Sequence, residues 1–429
     1  MNASLTESFL KARRISVPEQ KPRDIAEVGV RETLLEDIAL KTLYLYGPFS
    51  VLDLAEQMRL GFEVAEQLFN RLRAKLFCEV SGMLGHVPEI TISSHGRTRA
   101  LELLSQNQYS GATPVSLESY VAQVRKQSVR DLRVRPADVE RAFANMVFDR
   151  ETLSQFGMAL NSGSAVFLYG PPGVGKTAVA ETMSRVIAED KVWIPIAVEA
   201  GGQIISVYDP VVHGPIEESK TETHDRRWVR CKRPTVMVGG ELTVDMLDLQ
   251  FNPVTKYYDC PPQMKANNGT LVIDDFGRQR ISPEDLLNRW VVPLDRRIEF
   301  LTLAGGKKIE IPFEMLVVFA TNRNPAVMLE PAFGRRIQTK IHIGASTDDE
   351  FREIFWRVAA DHGLLVEQNV INDLIIFMRD TLKQELRACY PRDLVNQVCW
   401  KARYEGREPK LDRESLLRAV NTYFFRDDA

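Results

Sequence analysis

Gly170-Pro171-Pro172-Gly173-Val174-Gly175-Lys176-Thr177 is the stretch on which the reading of this 429-residue chain turns. It fits G-x-x-x-x-G-K-S/T, a loop in which each fixed position has a physical task. Glycines let backbone N–H groups converge on phosphate oxygens, Lys176 supplies a mobile positive charge, and Thr177 offers a hydroxyl to magnesium. The flanks agree with that reading. Ser164-Ala165-Val166-Phe167-Leu168-Tyr169 has the composition of a buried strand, and residues 177–187 carry the apolar spacing of a helix. A helix beginning there adds the positive end of its dipole to the phosphate site. Strand, glycine-bearing turn and helix together predict an α/β fold with a parallel sheet and a nucleoside triphosphate as ligand.

The length suits two or three domains, and 44% hydrophobic residues with ordinary charge content suit a globular chain. A formal net charge of −3 gives no global attraction to nucleic acid or anionic lipid. Residues 1–30 lack the apolar core of a signal peptide, and no run of about 18 apolar residues occurs. The expected location is therefore cytoplasmic, with no membrane insertion. Cys78, Cys231, Cys260, Cys389 and Cys399 are scattered without C-x-x-C spacing, which predicts reduced thiols in place of a disulfide framework or zinc site.

Residues 1–30 read as an N-terminal extension and 31–107 as one compact unit. Apolar spacing predicts a helix over 34–45, then Gly47-Pro48-Phe49-Ser50 breaks it and presents Ser50 as the cap of a second helix through 58. A third helix is expected over 62–76, a two-stranded wing over 78–93 and a further helix from about 95 to 105. That order resembles a winged helix-turn-helix. Its charges argue against direct DNA readout: eight Lys and Arg face ten Asp and Glu over 31–107, and Glu63 and Glu66 sit near the start of the third helix. Docking to protein or packing between subunits is the favoured role, ahead of DNA binding. Residues 108–140 read as a linker whose Arg125, Lys126, Arg130, Arg133 and Arg135 suit a solvated helix face.

A second element of phosphate chemistry is Leu271-Val272-Ile273-Asp274-Asp275, an apolar strand ending in two carboxylates, the pattern of a Walker B segment. In P-loop enzymes the magnesium ion is held by the loop hydroxyl and such a carboxylate, here Thr177 and Asp274. Asp275 is then placed to orient or deprotonate the attacking water.

With these motifs in order, residues 141–425 resemble the AAA+ ATPase family. Leu316-Val317-Val318-Phe319-Ala320-Thr321-Asn322 looks like its sensor 1 strand, with Asn322 as the polar residue near the γ-phosphate. Glu330-Pro331-Ala332-Phe333-Gly334-Arg335-Arg336-Ile337 looks like its arginine-finger segment, leaving Arg335 and Arg336 as alternative fingers. Tyr390-Pro391-Arg392-Asp393-Leu394 looks like sensor 2, with Arg392 at the nucleotide. The resemblance implies a P-loop AAA+ αβα sandwich over 141–345, a helical lid over 346–429, ATP and Mg²⁺ as ligands, and a homo-oligomeric ring of six subunits. The lid is expected to open on Thr347-Asp348-Asp349-Glu350, a capping box.

Two departures narrow the resemblance. Asp275 stands where the family more often has Glu, one methylene longer. The long interval between Lys176 and Asp274 leaves room for an insertion over about 201–265, with strands expected over 203–208, 227–238 and 255–258 and a helix over 241–249. Between Walker B and sensor 1, residues 297–313 predict a hairpin about Gly305-Gly306, similar to the pre-sensor-1 hairpin of a branch that includes MoxR-type chaperones and bacterial enhancer-binding activators. The Gly-Ala-Phe-Thr-Gly-Ala loop of those activators is missing, so σ-factor remodelling is not implied. Asp274-Asp275-Phe276-Gly277-Arg278-Gln279 with the winged-helix start resembles bacterial chaperone-like ATPases. The expected function is an ATP-hydrolysing ring that remodels a protein client. The alternatives are a DNA-binding transcription or DNA-processing ATPase, and a low-turnover nucleotide-gated scaffold motivated by Asp275.

Overall fold

The computed structural model describes residues 21–216, 224–328 and 331–424. Outside the described residues lie 1–20 of the expected extension, 217–223 of the expected insertion, Leu329 and Glu330 of the arginine segment, and 425–429 of the expected lid. The fold is mixed α/β. Its main sheet has five strands in the order Thr235–Val238, Thr270–Ile273, Leu316–Thr321, Val166–Tyr169, Thr339–His342. The 316–321 and 339–342 strands both run parallel to 166–169, opposing Val318 and Thr339 to Val166. Thr270–Ile273 and Leu316–Thr321 are buried at every position, as strands covered on both faces must be. This is why their sequences read as unbroken apolar runs without alternation.

The chain packs as two compact units, Met1–Asp131 with Ile187–Leu271 and Asp285–Leu316, and Leu132–Val186 with Val272–Glu284 and Val317–Ala429. The second unit carries the P-loop, and the helix that follows the loop spans Lys176–Ala188. Phe167, Phe276 and Phe319 meet there with ring centroids 5.0 to 5.7 Å apart. Phe276 is 2% exposed, and its burial is worth about 1.5–3 kcal/mol, which anchors the turn just after Asp274-Asp275. The same unit ends in helices Asp348–Asp361, Gln368–Ile376, Tyr390–Tyr404 and Arg413–Tyr423. They share an apolar core that includes Phe351, Phe355, Leu394 and Val420. The Thr347 hydroxyl caps the first of them by accepting from Glu350 N–H, and the Glu350 carboxylate in turn accepts from Thr347 N–H at 2.8 Å. The expected capping box is present.

In the first unit helices Glu32–Tyr46, Val51–Gln57 and Phe62–Ala74 precede a hairpin, Cys78–Leu84 with Val87–Ile92, and a helix Ser94–Gln106. Phe49–Ser50 adds a third strand beside Val87–Ile92, and Ser50 caps the second helix in a box with Asp53. A separate five-stranded sheet runs Gln250–Phe251, Tyr258–Asp259, Gln203–Ser206, Ala197–Ala200, Val115–Ser116. One apolar cluster contains Leu35, Ile38 and Leu68 of the helices together with Ala197 and Ile204 of this sheet. Buried Arg227 ties the same unit together: it holds Asp225 at 2.7 Å and donates to the carbonyls of Val28 and Pro114.

The hairpin expected over 297–313 is found as Ile298–Thr302 with Lys308–Pro312. The helix expected over 241–249 is not. Only a single 3-10 turn, Asp245–Leu247, forms there. Asp248 turns extended there, with φ of −115° and ψ of 173°, and its carboxylate accepts from Leu249 N–H at 2.9 Å, so a side chain takes the backbone donor that the next helical turn would need. The strand expected over 227–238 is two, Trp228–Lys232 and Thr235–Val238, which join different sheets on either side of Arg233-Pro234.

Candidate functional site

The P-loop leaves the Val166–Tyr169 strand at Gly170, whose φ of +149° and approach to Ile343 exclude a side chain: a Cβ there would stand 2.0 Å from the Ile343 carbonyl oxygen. Pro171, Pro172 and Val174 complete the turn, with Val174 buried at 3% exposure. Gly175 precedes the helix with φ of +93°. Lys176, 7% exposed, folds back over the loop. Its ammonium donates to the carbonyls of Gly170 at 3.0 Å and Pro171 at 2.8 Å and to Asn322 Oδ1 at 2.5 Å. Burial lowers the Lys176 pKa, the Asp275 and Asp274 carboxylates oppose that, and Arg387 adds to it.

The carboxylate pair is reached from the next two strands of the sheet. Thr177 Oγ1 lies 2.9 and 3.1 Å from the two oxygens of Asp274. Asn322 Nδ2 donates to Asp275 Oδ1 at 3.0 Å. A chain of hydrogen bonds thus runs from the P-loop carbonyls through Lys176 and Asn322 to Asp275. Asp275 has φ of +49°, a left-handed position that Asp tolerates better than branched residues do. The turn is secured from behind: Gln279 Nε2 donates to the Asp274 carbonyl at 2.7 Å, and Thr321 Oγ1 donates to the Phe276 carbonyl at 2.8 Å. Phe276 N–H in turn donates to Ala320 O at 2.7 Å.

An all-oxygen donor set, one hydroxyl and one carboxylate at hydrogen-bond distance, fits magnesium, which takes few protein ligands and completes its shell from waters and phosphate oxygens. Among the described residues no group of three or more His, Cys, Asp and Glu is placed to hold a metal.

The lid arginines divide. Arg392 is exposed and pairs with Asp393, its neighbour in sequence, at 3.3 Å. Arg387 lies instead against the P-loop. A Cβ on Gly173 would stand 3.5 Å from Arg387 Cδ and 2.7 Å from Cys389 Sγ, and Cys389 N–H donates to the Gly173 carbonyl at 3.1 Å. The Arg387 guanidinium sits 5.8 Å above the Tyr390 ring, and its Nε is buried without a hydrogen-bond acceptor. Nothing in the sequence pattern around Arg387 marks it, since it reaches the loop only because the lid chain turns back there. Arg335 and Arg336 end the helix Pro331–Arg336, Arg335 exposed and Arg336 half-buried. The residues that gather at the P-loop are thus Lys176, Thr177, Asp274, Asp275 and Asn322, together with Arg387.

Residues 165–337 match an AAA domain of the dynein-related subfamily. The matched segment contains every candidate site residue except Arg392, which falls in a second match, residues 347–422, to a domain of unknown function (DUF8689). Among solved structures, the RuvB Holliday junction branch migration motor of Thermotoga maritima is 16% identical, over 66% of this chain and 72% of that one, with a TM-score of 0.38. NtrX from Brucella abortus, in complex with ADP, is 12% identical over 77% of this chain and 67% of that one, with a TM-score of 0.41. No curated protein matches the chain. No helix among the described residues is long and apolar enough to cross a membrane.

Proposed function

We propose that this protein is a magnesium-dependent ATPase that works as a homo-oligomeric ring and remodels a protein client. The observation that carries the reading is the continuous hydrogen-bonded set Lys176, Asn322, Asp275 beside Thr177 and Asp274. Lys176 exchanges its loop carbonyls for β- and γ-phosphate oxygens, and the loop N–H groups hold the rest of the triphosphate. Thr177 and Asp274 would hold magnesium, which would supply charge neutralisation for the triphosphate. Asp275 accepts the proton of the attacking water, and Asn322 fixes its carboxylate in the direction of that water. Arg335 or Arg336 of one subunit supplies a permanent planar charge to the triphosphate held by the next.

The MoxR-like placement and the client class rest on the hairpin Ile298–Thr302/Lys308–Pro312 and on the helix order over 32–106, read as a winged helix. That region has more acidic than basic residues and begins its third helix with Glu63, which favours protein over DNA as the contact. Cytoplasmic location belongs to the same reading.

Lys176→Ala should weaken ATP binding about a hundredfold, the weight of a charged donor at a phosphate, and abolish turnover. Specific ATPase activity should rise with protein concentration as rings assemble. Activity unchanged in Lys176→Ala would overturn the reading, and turnover independent of concentration would overturn the shared site.

A further inference from the structure

The first unit holds a polar cavity of about 280 Å³ between helices Glu32–Tyr46 and Ser94–Gln106 and the turn joining Ala197–Ala200 to Gln203–Ser206. Three cations line it, Arg31, Lys41 and Lys256, against one carboxylate, Asp37. Lys41 is 2% exposed, yet its one hydrogen bond among the described residues is to a neutral carbonyl, Asn107 O at 3.0 Å. Lys256 likewise donates to a carbonyl, that of Ser105. The Arg31 guanidinium lies against Gly202, where a Cβ would stand 2.6 Å from Nη2, and Gly202 with φ of +88° gives it that room. Neighbouring cations are matched differently: Lys75 pairs with Glu36 and Arg99 with Glu102. Burial pushes the Lys41 pKa down to about 8 against the pull of Asp37. A buried ammonium with one neutral acceptor is costly to keep charged, and an anion reaching it would supply the missing acceptors.

We infer that this cavity binds a small phosphate ester, its phosphate held by Lys41, Arg31 and Lys256. The guanidinium fork of Arg31 and the two ammonium groups suit a dianion with several acceptor oxygens. Amide side chains of Gln106 and Gln203 in the lining suit hydroxyl groups, and no aromatic ring is among the described residues that line the cavity to stack a base. The volume lies just below the range of about 300–1,000 Å³ typical of ligand pockets, so the ester is small, of sugar-phosphate or glycerol-phosphate size. The site shares no residue with the P-loop and stands whether or not the chain hydrolyses ATP.

The test uses the full chain carrying Lys176→Ala, so that the P-loop lysine does not contribute, with calorimetric titration of glucose 6-phosphate, inorganic phosphate and glucose. Glucose 6-phosphate should bind at one site, and Arg31→Glu and Lys41→Met should each weaken it at least about tenfold, while glucose does not bind. Should Lys41→Met fail to fold, Arg31→Glu decides, because Arg31 is exposed and its exchange leaves the core intact. Inorganic phosphate binding as tightly as the ester, with the same loss in Arg31→Glu, supports the site with the free ion as occupant. Absence of binding by both phosphates at millimolar concentration, or affinity unchanged in Arg31→Glu, overturns it.

Discussion

In the proposed reaction Asp275 is the residue on which turnover hangs. Its carboxylate is held by Asn322 at 3.0 Å, so its shorter side chain is fixed in place by a partner. Asp275→Asn should keep ATP binding and lower kcat about 10²–10⁴-fold, the range for losing a general base. Negligible turnover in both proteins, with ATP still bound, would instead fit the nucleotide-gated scaffold, and equal, normal kcat would place the base elsewhere. A second comparison separates the lid arginines. Arg387 lies against Gly173 whereas Arg392 pairs with Asp393, so Arg387→Ala should weaken ATP binding about tenfold and Arg392→Ala by less, each read by nucleotide titration. Larger loss in Arg392→Ala would mean that the lid rearranges around bound nucleotide and that the Asp393 pair is broken on the way.

At the scale of elements, the hairpin Ile298–Thr302/Lys308–Pro312 carries a titratable group in its core. Glu299 is 2% exposed, its Oε2 has no hydrogen-bond partner, and Arg289 stands 3.5 Å from Oε1. Burial pushes its pKa up to about 7, with Arg289 opposing. The folded state therefore holds a proton that the unfolded chain releases near 4.5. Stability contributed by the protonated form is complete below about 4.5 and falls as pH rises toward about 7, by up to about 3 kcal/mol. Glu299→Gln should flatten that slope and raise the melting temperature at pH 8 relative to the parent, with little change at pH 5. Parallel slopes in calorimetric melts at the two pH values would refute this.

Elements also show how far local sequence reaches. The strand and helix around the P-loop, the Thr347 and Ser50 caps and the 297–313 hairpin were legible because each is set by spacing or by hydrogen bonds within a few residues. The 241–249 segment forms one turn only, because apolar spacing says nothing about Asp248 turning extended and taking the Leu249 N–H. At 227–238 the β-forming composition was right, but Arg233-Pro234 divides the run between two sheets, a matter of partners far away in the chain.

For the whole molecule, the proposal of a shared site makes a prediction that no single chain can meet. Lys176→Ala lacks the phosphate lysine, and the double variant Arg335→Ala/Arg336→Ala lacks the finger, so each should be inactive alone. Mixing them should restore part of the ATPase activity, because some interfaces then join an intact P-loop to an intact finger. An inactive mixture whose oligomers have demonstrably exchanged subunits would place the finger elsewhere.

The sequence by itself determined the phosphate loop, the acidic strand end and the α/β class, because glycine torsions, the lysine charge and apolar runs act over a few residues. Only the tertiary structure decided which distant groups meet. It joined Lys176 to Asn322 across 146 positions, set Arg387 and Cys389 over Gly173, and gathered Arg31, Lys41 and Lys256 around one cavity. Those contacts depend on the order in which strands enter a sheet and on the path of the lid, and long-range burial, which leaves no period in the sequence, fixes both.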